Sequence, residues 1–370
     1  MNLTRRAIPF LLFLFAKNFS FAQESFVNPL TVKENYSKAF TELNEMLNGK
    51  QPLSFKKAIF ITENSYMDEK LNYDTLNEKI EVLTTLCKAV MQSKQLLYSL
   101  PDSNQVAKCA VIFSLMMDTT KIVYHDNLYY HFPFTYDFDD VWGETKWEQM
   151  FVSKLLNTGK GNCHSLPFLY KILMQELGSN AFLSLAPNHI YIKLRNQKDG
   201  WYNTELTSGY FPIDAWLMAS GYIHLSAIQN AIYMDTLSNK QSIAVCMIDL
   251  AKGYEKKNIV GCEDFILQCC DTALAYFPNY INALLLKAET KKKVFESTMK
   301  RYGATYPKEV FNIKEAKDLF DEMQNLYASI HKLGYRTMPR EMYLDWLVSL
   351  KIEREKYQNK KVTTFTPTKN

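Results

Sequence analysis

Chemistry in this sequence centres on one cysteine. The stretch TGKGNCHSLPFLYKILMQELG sets Gly159 and Gly161 just before Cys163, and an apolar-rich run from Cys163 to Leu177 follows and stops at Gly178. That run reads as a helix opening at the cysteine, with Gly178 as its C-terminal stop. The free N–H groups and the positive end of a helix favour a thiolate, pulling a thiol below its free pKa of about 8.5. Cys163 is therefore placed to act as a nucleophile, and its own N–H can donate to an oxyanion. The glycines let the chain turn tightly and let a substrate backbone approach.

A thiolate needs an imidazole to hold it as an ion pair and to return the proton to the leaving group. His164 is adjacent, but consecutive helical residues point about 100° apart, which makes it a poor base. His189, in APNHIYIKL, opens an apparent strand after the turn formers Pro187 and Asn188. A third group should fix the imidazole tautomer. Glu205, in WYNTELTSG, lies on the next strand signal after a turn at Lys198, Asp199 and Gly200. Adjacent antiparallel strands can bring the two side by side.

The order Cys, His, acid, with a glycine-flanked cysteine opening a helix and Trp201 four residues before the acid, resembles the transglutaminase-like superfamily and, more broadly, the papain-type fold. The resemblance covers about Phe151 to Gly221. It implies Cys163 as nucleophile, His189 as base, Glu205 as orienting acid and Trp201 as a site-flanking aromatic, beside Gly161 and Asn162. The sequence departs from the pattern in carrying Glu205 where the family commonly has Asp. No metal or organic cofactor is implied; some relatives use calcium, but no clustered carboxylates stand out here.

Other segments must position these groups. Val32 to about Thr120 has helical signals: Leu76, Ile80, Leu83, Cys87 and Val90 recur at steps of three and four, with Asp74 in place to cap the first turn, and Val106 to Met117 follows a turn at 101–103. Between Lys121 and Gly221, Val123 to Tyr130, Ala181 to Leu185, His189 to Leu194 and Trp201 to Leu206 read as short strands. His125, Tyr129, Tyr130, His131 and Trp147 are candidates to line a groove. After Asn239 the chain is helical again. Leu250, Ala251 and Tyr254, then Ala273 with Pro278, then Ala288, stand at positions resembling tetratricopeptide units, with about three extra residues after Tyr254. The resulting expectation is an α+β fold. A papain/transglutaminase-like core, a helix packed on a small antiparallel sheet at residues 121–235, lies between a helical region (23–120) and a helical-repeat region (236–358), with a loose tail at 359–370.

Arg5 and Arg6 precede an apolar run of ten residues, Ala7 to Ala16, and Ser20 and Ala22 form a small-x-small pattern. Residues 1–22 thus read as a signal peptide cleaved near Ala22, giving a periplasmic or secreted protein; ten apolar residues fall short of the roughly 20 that span a bilayer. Three of the 43 basic residues and none of the 39 acidic ones lie in 1–22, so the mature chain is nearly neutral and offers no electrostatic reason for a nucleic-acid partner. The seven cysteines are an odd number, and beyond Cys163 up to three disulfides remain open. The expected function is thiol-dependent acyl transfer on amide bonds of peptides or glutamine side chains, as hydrolase or transferase. The alternative is a non-catalytic scaffold that binds a protein partner through its helical repeats.

Overall fold

The computed structural model describes residues 28–124, 127–357 and 365–367. The expected signal peptide and His125 lie outside them.

Four helices come first: α1 (Pro29–Leu47), α2 (Phe55–Tyr66), α3 (Tyr73–Ser93) and, after the short strand β1 (Lys94–Leu96), α4 (Ser103–Met117). Leu76, Ile80, Leu83 and Cys87 are buried on one face of α3 as their spacing requires. Asn72, not Asp74, caps that helix by accepting the Thr75 N–H; Asp74 sits inside the first turn, where its charge still favours the dipole. The segment expected as one strand, Val123 to Tyr130, is divided between β2 (Thr120–Tyr124) and β3 (Asn127–His131), paired antiparallel.

The central region continues with β4 (Thr135–Tyr136), a 3-10 helix (Trp147–Met150), α5 (Val152–Thr158), β5 (Lys160–Gly161), α6 (Ser165–Glu176), β6 (Phe182–Ala186), β7 (His189–Asn196) and β8 (Gly200–Thr204). Strands β6, β7 and β8 form an antiparallel sheet in that order, and α6 packs against β6 and β7. Helix α6 begins two residues later than its sequence suggests. It ends with Gly178 in a left-handed conformation, φ 65°, its N–H reaching the Gln175 carbonyl while Ser179 N–H reaches Met174, so the last carbonyls are satisfied.

Two short helices, α7 (Asp214–Ser220) and α8 (Leu225–Gln229), lead to α9 (Asn239–Lys256), α10 (Glu263–Tyr276), α11 (Ile281–Arg301), α12 (Lys314–Lys332) and α13 (Arg340–Tyr357). From α9 to α12 each helix packs on the next, and α9 also lies against α1 and α2. Ala251, Ala273 and Ala288 are fully buried between these helices, where small side chains allow close approach. In the expected tail, β9 (Phe365–Pro367) pairs with β1. The fold is mixed helix and sheet, with one dominant core running through all three regions. No described helix is long and apolar enough to cross a membrane.

Candidate active site

Cys163 sits in the turn that opens α6. The side-chain oxygen of Asn162 accepts the N–H groups of both His164 and Ser165 at 3.0 and 3.1 Å, and the Asn162 carbonyl accepts the Leu166 N–H. Such capping stabilises a helix start by about 1 kcal/mol. It leaves the Cys163 N–H free of the cap. Gly161 precedes it in β5, opposite Tyr136 of β4. A Cβ on Gly161 would stand 2.7 Å from Ser165 Oγ and 2.9 Å from Leu155 Cδ1, so the turn closes only over a bare α-carbon.

Strand pairing delivers the other two groups. Pro187 and Asn188 join β6 to β7, with Ala186 opposite His189 and Asn188 at φ 57°, a backbone that Asn tolerates in such turns. The Asn188 carbonyl lies 3.8 Å from Cys163 Sγ. In the β7–β8 register Ile192 faces Thr204. Continuing one residue past Thr204 puts Glu205 opposite Tyr191, a diagonal step from His189 on the same face. Diagonal neighbours stand about 7–8 Å apart, within reach of long side chains. The extra methylene of Glu205 spans that diagonal: its Oε2 meets His189 Nε2 at 2.5 Å, while Oε1 accepts the Thr207 N–H at 2.8 Å. Glu205 and Tyr210 exchange both backbone hydrogen bonds, which fixes the residue from which the carboxylate projects.

The other ring nitrogen, Nδ1, faces the thiol side. Tyr343 of α13 places its hydroxyl 3.1 Å from Cys163 Sγ and 3.4 Å from His189 Nδ1. Trp346, one turn on, meets the His189 ring edge-on at 4.7 Å between centroids, and Trp142 packs on Tyr343 at 4.6 Å. These groups shut the site: Cys163 is 8% exposed, His189 3% and Glu205 1%.

Electrostatics separate this cysteine from the others. All seven are free thiols, so none of the disulfides left open by the composition forms. Burial pushes up the thiols of Cys87, Cys109, Cys246, Cys262, Cys269 and Cys270. Cys163 moves the other way. Burial opposes its ionisation, but the His189 imidazole, the Tyr343 hydroxyl and the charge of His164 outweigh it. For His189 burial also disfavours the charge, yet Glu205 and the thiolate raise the ring to about 10. Burial drives the Tyr343 phenol far above its usual range, so Tyr343 is a proton donor to the sulfur rather than a second anion.

Cys163, His189 and Glu205 therefore meet, as their spacing predicts, with Gly161 and Asn162 shaping the turn. Trp201 does not join them. It pairs with Arg195 at the far end of β7, six residues or about 20 Å from His189 by strand rise, and is 46% exposed, with Arg195 over its ring and Phe182 edge-on to it. Four residues along a strand keep the same face but travel its whole length. Three of the expected groove residues are engaged elsewhere: His131 binds the Leu115 carbonyl, Tyr130 is exposed, and Trp147 packs with Met150 and Phe151. The aromatic walls are instead Tyr136, Trp142, Tyr343 and Trp346, and only Tyr136 and Trp142 are near enough in sequence to have been suspected. Among the described residues, no group of three or more His, Cys, Asp or Glu is placed to hold a metal ion.

No family model matches the sequence, and no curated protein matches it. Among solved structures the chain is similar to menin, in the crystal structure that reveals its binding site for Mixed Lineage Leukemia (MLL) protein. There the identity is 12%, 89% of this chain and 92% of that chain are covered, and the TM-score is 0.31.

Proposed function

We propose that this chain is an exported, thiol-dependent acyl-transfer enzyme acting on amide bonds of peptides or glutamine side chains, built on a papain/transglutaminase-like core with tetratricopeptide-like helices behind it. The observation that carries the reading is the His189 ring, held by Glu205 on Nε2 at 2.5 Å and presenting Nδ1 to the side where Cys163 lies. A carboxylate at one nitrogen fixes the tautomer and stabilises the imidazolium, leaving the other nitrogen to serve the sulfur.

In the reaction, the Cys163 thiolate attacks the amide carbonyl carbon and a C–S bond forms. The resulting oxyanion takes the Cys163 N–H and the buried hydroxyl of Tyr136, which lies beside the Cys163 thiol and the Tyr343 hydroxyl. As the C–N bond breaks, the His189 imidazolium gives its proton to the departing amine. Neutral His189 then takes a proton from the acceptor, which attacks the thioester and releases the thiolate. Water as acceptor yields a hydrolase, an amine a transferase. Substrate reaches the sulfur only when α13 withdraws Tyr343 and Trp346.

That closure favours a second reading, in which the same core is a non-catalytic scaffold and the helices hold a protein partner. Thiol reactivity discriminates. Rapid alkylation of Cys163 by iodoacetamide at neutral pH, lost in His189→Ala, together with incorporation of a primary amine into a glutamine peptide or release of ammonia from it, supports the enzyme. Alkylation no faster than that of an ordinary thiol, and indifferent to His189→Ala, overturns it.

A further inference from the structure

His164 follows the thiol directly, and its side chain turns away from the triad into a half-buried pocket. Its Nδ1 lies 3.0 Å from the Met150 carbonyl oxygen, and its Nε2 lies 3.0 Å from Asp249 Oδ2 of α9. A carbonyl oxygen only accepts, and an ionised carboxylate only accepts, so a ring that satisfies both must carry two protons. The Phe168 ring covers it at 4.1 Å, and Ile59, Thr62, Glu63 and Cys246 help enclose a cavity of about 10 Å³ beside it, about the space of one water.

We propose that His164 is a positioning residue held as an imidazolium. Clamped between Asp249 and the Met150 carbonyl, it ties the turn that carries Cys163 to the first helix of the C-terminal region and sets a second positive charge beside the sulfur. The inference rests on the thiol-based reading above and adds to it. The triad supplies one cation from the sheet side of the thiol; His164 supplies another from the helical side, where 15% exposure of its side chain leaves water to screen it only in part.

The titratable and charged groups facing this ring come from several elements. Asp249 and Cys246 belong to α9, Glu63 to α2 and Cys163 to the turn itself. The Cys246 thiol is pushed well up by burial and is neutral. Glu63 is engaged by the Val152 and Ser153 N–H groups, and burial raises it to about 7. Although burial disfavours the charged ring, Asp249 and the Met150 carbonyl raise the His164 pKa above its usual value.

The test uses the full chain labelled with 15N-histidine, with His164→Gln assigning the ring. The expected result is a doubly protonated His164 at pH 7 that loses a proton in Asp249→Asn. In His164→Gln, alkylation of Cys163 by iodoacetamide falls about two- to five-fold at the wild-type pH midpoint relative to its own rate at pH 10, because the thiol pKa rises by up to about one unit. Comparing the two pH values within one variant cancels any change in access, which a purely structural defect would alter at both. Asp249→Asn gives the same shift if His164→Gln does not fold. A neutral ring beside a wild-type thiol that reacts fast at pH 7, or an unchanged ratio of rates in both variants, overturns this proposal alone. A wild-type thiol whose rate at pH 7 relative to pH 10 is that of an ordinary thiol overturns the acyl-transfer reading and the charge-setting role together.

Discussion

The Tyr343 hydroxyl lies 3.1 Å from Cys163 Sγ although 180 residues separate the two. The last long helix thus occupies the space where an acyl group would bond to the sulfur. Its hold is made of ordinary parts. Tyr343, Trp346, Leu347 and Leu350 are buried on one face. The Trp346 indole donates to Ser220 Oγ at 3.0 Å, and Arg340 forks onto Glu144 at 2.7 and 3.1 Å.

Leu350 is fully buried and lies two turns beyond Tyr343 on the same face of α13, so it is the place to loosen the helix without touching the chemistry. An aspartate there must be desolvated, at a cost of several kcal/mol. Each 1.4 kcal/mol taken from docking raises the open population about tenfold. Leu350→Asp is expected to speed iodoacetamide alkylation of Cys163 by at least about tenfold, with the far-UV circular dichroism retained. An unchanged rate would mean that α13 does not control access.

Glu205→Gln keeps the size of the side chain and one acceptor but removes its charge. Without the carboxylate the imidazolium of His189 loses its main support, so the ring pKa falls from about 10. The thiolate then loses its counter-ion and the Cys163 pKa rises. The pH midpoint of alkylation moves upward by about one unit or more, and the rate at the wild-type midpoint drops at least about five-fold. Overlapping pH–rate curves for wild type and Glu205→Gln would remove Glu205 from the pair.

How far the sequence foretold this site depends on the range over which each signal acts. Cys163, His189 and Glu205 were legible because local features position them: a glycine-flanked helix start, a Pro-Asn turn and a Lys-Asp-Gly turn. Each acts within a few residues, and the hairpin register does the rest. Trp201 was misplaced because strand alternation predicts the face but not the distance along it. Tyr343 and Asp249 left no trace, since each sits on a helix whose spacing would be the same whatever it packed against. The contact is set by tertiary docking, which periodicity does not encode.

Gly161→Ala tests the turn itself. The new methyl would meet Ser165 Oγ at 2.7 Å and Leu155 Cδ1 at 2.9 Å, both closer than packed atoms tolerate, and relief requires Ser165 Oγ to leave the Asn162 N–H it accepts and Leu155 to shift. Overpacking of this kind costs about 1–3 kcal/mol. The expected result is a lower urea midpoint at constant m-value, together with a slower Cys163, because the sulfur shifts with the turn. A midpoint within error of wild type would show that the neighbours yield freely.

Glu63 gives the fold a pH dependence of its own. Its carboxylate caps α5 through the Val152 and Ser153 N–H groups at 2.6 and 3.0 Å, yet burial outweighs those bonds and raises its pKa from 4.5 to about 7. Between those values the folded chain keeps a proton that the unfolded chain has lost. The contribution of Glu63 to stability is therefore greatest below about pH 4.5 and declines as pH rises to about 7, by about 2–4 kcal/mol in total. Glu63→Gln does not titrate, and its amide accepts only one of the two N–H groups. Urea melts should find it less stable than wild type at pH 5, with the gap narrowing by about that amount at pH 8. Parallel stability curves across this range would mean that Glu63 ionises in the folded protein as readily as in the unfolded chain, and that the cap, not burial, sets its charge.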